Sequence, residues 1–116
     1  MEMTPVSRIA DQFGALASPQ RIQIVRLLLA AHNMGGMTAG HIQSELGIPA
    51  STLTHHLGKL ESAGLIGSRK DRRWIWYYAD AGGLRGMLEF LFQECCTRTA
   101  VVSPAKLTRA DHENGS

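Results

Sequence analysis

Residues 37–65 read MTAGHIQSELGIPASTLTHHLGKLESAGL, and this stretch decides the fold. Thr38 is placed to cap a short helix whose Ile42 and Leu46 stack one turn apart on the inner side. Gly47 stops that helix, Ile48 dips back toward a core, and Pro49 pre-sets the backbone for a second start. The second helix buries Leu53, Leu57 and Leu60 at i, i+4 and i+7. With Leu53 facing inward, Ser51 and His55 point almost directly outward, flanked by Thr52, Thr54 and Lys59. Hydroxyls, an imidazole and a lysine on one short helix suit a DNA groove, and the pair of helices reads as a helix-turn-helix. Taken alone, the stretch also fits an all-α protein with a solvated polar face.

The residues C-terminal to this stretch favour the first reading. After Ala63-Gly64 the period changes, and residues 65–69 and 73–79 read as two strands, with Lys70-Asp71-Arg72 at the tip between them. In the second strand Trp74, Trp76 and Tyr78 fall on one face and Ile75 and Tyr77 on the other. Arg69, Lys70, Arg72 and Arg73 crowd the end of this hairpin. Charges do guard exposed strand edges. A basic hairpin directly after a helix-turn-helix can also lie along the DNA backbone, where phosphate contacts add salt-sensitive affinity.

Upstream, Thr4-Pro5 opens a first helix with Val6, Ile9, Phe13 and Leu16 in a stripe. Ser18-Pro19 opens a second, residues 20–31, so rich in Ile, Val and Leu that it should form the buried centre. Residues 32–36 form a loop. Downstream, Gly82-Gly83 should separate the hairpin from a last helix running from Leu84 to about Thr97, with the stripe Leu84, Met87, Leu88, Leu91, Phe92 and Cys95. So wide an apolar face at a chain end, matched by one on the first helix, points to homodimerisation through the N- and C-terminal helices. The fold class is therefore mainly α with a small β-hairpin wing: a winged helix-turn-helix domain over residues 1–102, followed by a loose tail over 103–116.

At 116 residues the chain holds one core, and its net charge of +2 is too small to argue for nucleic acid without the placement just described. No run approaches the roughly 20 apolar residues of a membrane span, and the N-terminus has no secretory pattern; no membrane partner and a cytoplasmic location are expected. There is no phosphate loop, Ser-His-Asp set or carboxylate pair, so an enzyme is not expected.

Residues from about 15 to 80 resemble the ArsR family of winged-helix repressors. Ala15-Leu16-Ala17-Ser18-Pro19-Gln20-Arg21 is similar to the family's second-helix start, and Ser51 to Leu57, with Leu60 and Ala63-Gly64-Leu65-Ile66, to its recognition helix and the beginning of its wing. Arg72 to Tyr78 resembles the second wing strand. The resemblance implies a homodimer that binds double-stranded operator DNA, represses a resistance operon and leaves when an inducer binds. Two of the family's sensor sites are missing here. Residues 37–41 contain no Cys-x-Cys pair, and residues 84–94 contain neither His nor Asp, which weighs against zinc, nickel and cobalt.

The adjacent thiols Cys95 and Cys96 are the remaining candidate metal ligands. Cys95 continues the apolar stripe and would also pass as a small buried hydrophobe; Cys96 sits about 100° round the helix from it. Thiolates suit soft ions. With the family context, the pair implies As(III) as inducer, with Sb(III) behaving alike. Arsenite takes three thiolates, so a second protomer, water, a small thiol or a cysteine beyond the present chain would complete its site; methyl arsenite needs only two. Ligation would bend the last turn of the dimer helix and shift the spacing of the reading helices. Two rivals stay open: a redox sensor acting through the same thiols, and a winged helix used for protein contacts. Among the histidines, His55 faces outward and His56 packs as scaffold; His32, His41 and His112 form no metal set.

Overall fold

A computed structural model describes residues 4–93. In chain order these form α1 (Pro5–Leu16), α2 (Pro19–Ala30), a 3-10 turn (His32–Met34), β1 (Met37–Thr38), α3 (Ala39–Leu46), α4 (Ala50–Ser62), β2 (Ile66–Asp71), β3 (Trp74–Ala79) and α5 (Ala81–Phe92). The strands make one antiparallel sheet in the order β1-β3-β2. This is the winged helix-turn-helix architecture, and its helix starts are chemically marked. The hydroxyl oxygens of Thr4, Ser18 and Thr38 accept from the backbone N–H of Ser7, Arg21 and His41 at 3.1–3.3 Å. Gly47 closes α3 in the left-handed conformation, with φ 66°.

The core is built from Ile24, Leu28, Ile42, Leu53, Leu60, Leu65 and Met87, all fully buried. Each helix contributes only one stripe to it. In α2 the buried residues are Ile24, Val25 and Leu28, while Ile22 and Leu29 are exposed, so the helix is not enclosed on every side as its composition suggests. In α1 the large apolar residue left exposed is Val6, and the buried residues are Gln12 and Ala15.

Three further boundaries differ from the sequence expectation. The sheet has a third strand, β1, pairing Met37 with Tyr77 and Thr38 with Trp76. Two residues are too few for alternation to reveal, and their pairing depends on Gly36. With φ +104°, a Cβ there would collide with the Tyr77 carbonyl. The hairpin is also longer, because β2 continues to Asp71 opposite Trp74. The tip is therefore Arg72-Arg73, with Arg72 left-handed at φ 62°. Finally, Gly82-Gly83 does not separate hairpin from helix. Asp80 caps α5, its carboxylate accepting from the Gly83 N–H at 2.9 Å, and both glycines lie in the helix's first turn. A Cβ on Gly83 would press on the Gly64 carbonyl at 3.0 Å.

Candidate nucleic-acid interface

Helix α4 presents two chemically distinct sides. Leu53, His56, Leu57 and Leu60 are buried, and Ser51, Thr54, His55 and Lys59 are exposed, with Thr52 half-buried at the edge. The Thr54 hydroxyl donates to the Ala50 carbonyl at 3.0 Å, so its remaining lone pairs face outward as an acceptor.

The inner side is held by more than apolar contact. Buried His56 meets the Arg21 guanidinium through Nδ1 at 3.1 Å and the Gln20 carbonyl oxygen through Nε2 at 3.0 Å. Since Arg21 can only donate and Gln20 Oε1 only accept, the ring is neutral with its proton on Nε2. Burial, then the Arg21 charge, then the neighbouring His55 ring hold its pKa below the ordinary histidine value. Arg21 Nε also donates to the Ala15 carbonyl at 2.6 Å, and the buried Gln12 amide donates to the Ala63 carbonyl at 3.1 Å. The recognition helix is thus pinned at its middle to α2 and at its C-terminal end to α1. The scaffold role expected for His56 holds. Sequence reasoning misses its partners Gln20 and Arg21 and the second tie through Gln12; the one available signal is a glutamine inside the apolar stripe of α1.

The wing is a ribbon anchored at its root. The Ser68 hydroxyl donates to the Glu61 carboxylate of α4 at 2.7 Å. Arg69 lies over the Trp76 ring, 5.6 Å from its centroid, and donates to the Gly35 carbonyl at 3.3 Å. Its guanidinium is therefore turned back onto the body of the domain. Toward the tip, Lys70, Arg72 and Arg73 are exposed, and Arg73 stacks over Trp74 with 5.5 Å to the ring centroid. The expected basic cluster divides in two: one arginine bracing the root, three cations projecting. Cys95 and Cys96 lie outside the described residues. Among the described residues no group of three His, Cys, Asp or Glu side chains could hold a metal ion. No helix among them is long and apolar enough to cross a membrane.

Comparison with known proteins matches this geometry. A helix-turn-helix domain model aligns with residues 16–69. An uncharacterised HTH-type transcriptional regulator of Methanocaldococcus jannaschii is 38% identical over 76 residues, spanning 66% of this chain and 82% of its own. An ArsR-like transcriptional regulator from Rhodococcus sp. RHA1 shares the fold with a TM-score of 0.72 at 22% identity, covering 90% of this chain and 93% of the other. The chain belongs to the HTH-type transcriptional regulators, and its fold is the winged helix of the ArsR-like protein. Two further structures of this kind are similar. One, described as a "possible transcriptional regulator for arsenical resistance", is 33% identical over 72% of this chain and 82% of its own, with a TM-score of 0.61. The other is a homodimeric winged helix-turn-helix DNA-binding domain from Mycobacterium bovis, 25% identical over 77% and 82%, with a TM-score of 0.59.

Proposed function

We propose that this HTH-type regulator is an ArsR-like homodimeric repressor that binds operator DNA and is released by a trivalent arsenic species held at Cys95 and Cys96. The observation that carries the DNA reading is the pairing of a rigidly braced polar helix face with a projecting cationic tip. In this reading Ser51, Thr52, Thr54, His55 and Lys59 enter the major groove, and Lys70, Arg72 and Arg73 lie on flanking phosphates. Arg69 fixes the wing's root rather than contacting phosphate. Dimerisation is supported by the apolar residues left outside the core on the terminal helices. Val6 of α1 and Leu88, Leu91 and Phe92 of α5 are 53–68% exposed, and a two-fold contact would cover them. The homodimeric relative from Mycobacterium bovis supports the same assembly.

The inducer assignment rests on chemistry. Two adjacent thiols, the first three positions after Phe92 in the sequence, suit a soft, pyramidal ion, and the similarity to a protein described in terms of arsenical resistance points the same way. Arsenite, methyl arsenite and antimonite are the candidate forms. Ligating both sulfurs would disturb the segment that carries them and, through α1 and its Gln12 bond to the end of α4, the relative placement of the two recognition helices. A coupling of about 1–3 kcal/mol is enough to empty the operator.

The test is fluorescence anisotropy of a labelled operator duplex, selected from a random-sequence pool and titrated with arsenite and with methyl arsenite. Wild type should dissociate while the Cys95→Ser/Cys96→Ser double variant stays bound. A complex that neither compound disturbs would remove the metalloid and leave the DNA reading standing. Release by mild peroxide instead would favour the redox alternative.

A further inference from the structure

Glycine is a poor choice for the interior of a helix, because it lowers helix stability relative to alanine. Helix α4 nevertheless carries Gly58 in its middle, and the fold does not ask for it. The residue is exposed, its φ is not among the positive ones, and a Cβ built there would meet nothing within 4 Å. Positions where the fold does exclude a side chain look different; Gly36 and Gly83 both face backbone carbonyls. Three other glycines in helices are open like Gly58. Gly14 and Gly86 sit on α1 and α5, the helices assigned to a second copy, and Gly40 lies in the first turn of α3.

The location of Gly58 supplies the reason. Ser51, His55, Gly58 and Ser62 succeed one another at i, i+4, i+7 and i+11 along the middle of the outward face. Around Gly58 the surface forms a shallow groove lined by Thr54, His55, Lys59 and Ser62, a set of donors and acceptors with no apolar member. A missing side chain at the centre of such a ring lets a partner's surface come within backbone distance, while the surrounding polar groups reach it at hydrogen-bond length. A stripped centre with a polar rim fits the edge of a base pair and its sugar better than a protein side chain.

We infer that Gly58 is the point of closest approach between the recognition helix and duplex DNA, and that its missing Cβ sets how deeply α4 seats in the groove. Gly58 is then a positioning residue: depth lets Thr54 and His55 reach base edges, whereas the wing's phosphate contacts tolerate a shallower seat. This rests on the DNA reading above.

The experiment compares wild type, Gly58→Ala and Gly58→Leu in thermal unfolding and in binding to the selected operator duplex and a scrambled duplex. Both substitutions favour helix, so each variant should melt about 4 °C higher than wild type. Operator affinity should nevertheless fall about tenfold for Gly58→Ala and further for Gly58→Leu, the scale of one lost base contact. Scrambled-duplex affinity should stay unchanged, since backbone contacts supply it. Equal operator affinity in Gly58→Ala and wild type would overturn the inference, as would a lower melting temperature, which would make the glycine a requirement of the fold. If wild type itself shows no preference for any duplex, the DNA reading fails first and takes the inference with it.

Discussion

Helix α4 and the wing are neighbours in the chain, separated by Ala63, Gly64 and Leu65, and are built on opposite principles. The helix sits on the core through Leu53, Leu57 and Leu60 and is pinned by directional bonds from His56 and Ala63 to α1 and α2. The wing projects, with little behind it. Its strand pairing, including that of β3 with β1, the Ser68–Glu61 and Arg69–Gly35 bonds and two arginine–tryptophan stacks hold it together. The difference matches the roles proposed for the two on DNA. Reading base edges demands a fixed position to within a fraction of an ångström. Neutralising phosphates demands only charge within reach, and a pliable ribbon supplies that.

The largest effect should come from removing the helix's apolar footing. Leu53→Ala opens a cavity at the contact between α4 and the rest of the core and should destabilise the fold by about 2–5 kcal/mol in urea unfolding. The corresponding truncation in the wing, Ile75→Ala, removes an exposed side chain and should stay within about 0.5 kcal/mol. Similar losses at both sites would erase the distinction between seated helix and projecting ribbon.

Next in size is the polar brace. His56→Ala removes the bonds to half-buried Arg21 and exposed Gln20 and should cost about 0.5–1.5 kcal/mol. The brace also has a pH signature. Because the folded His56 pKa lies below the unfolded value of about 6.5, the unfolded chain takes up the proton first as pH falls. The stability contributed by neutral His56 is complete above pH 6.5 and is lost as pH drops from there toward the lower folded value. His56→Gln keeps an acceptor for Arg21 and a donor for Gln20 but does not titrate. Its stability should therefore fall less than wild type's between about pH 7.5 and 5.5. Parallel curves would assign the acid sensitivity to other groups.

The boundary between the two regions explains which features are legible in the sequence. The apolar periodicity of α3 and α4, the Thr38 cap, Gly47 and the inward His56 all obey local rules, because each concerns residues within one or two helical turns. The features that escape are non-local. Pairing of Met37 and Thr38 with β3 joins segments far apart in the chain, and Gln12 reaches Ala63 across 51 positions. The four basic residues of the wing read as one cluster because sequence gives proximity without direction. Only the folded structure shows that the Arg69 side chain turns back toward Gly35, while Arg72 and Arg73 form the turn itself. Asp80 escapes for a different reason: the two glycines close behind it look like a break, and its capping bond overrides their low helix propensity.

Within the wing the smallest effect should separate anchor from contact. Arg69→Ala should weaken DNA binding modestly by loosening the root, on the order of the 0.5–1 kcal/mol of an exposed cation–π pair, and should leave the salt dependence intact. Arg72→Ala removes a proposed phosphate contact, so the slope of log affinity against log salt should shrink by about 0.9. An equal change of slope in the two variants would place Arg69 on the DNA as well.

The most direct test of the division between reading helix and gripping wing measures salt slope and sequence preference together. Wild type, Thr54→Ala/His55→Ala and Arg72→Ala/Arg73→Ala would be titrated onto the selected operator duplex and a scrambled duplex across a range of salt concentrations. The helix variant should lose preference for the operator while keeping its slope at neutral pH. The wing variant should weaken on both duplexes alike, with a slope lower by about 1.8 for two lost phosphate contacts. A wild-type protein that binds both duplexes equally and without salt dependence would contradict DNA recognition by this surface. Two variants with the same behaviour would contradict the division of labour within it.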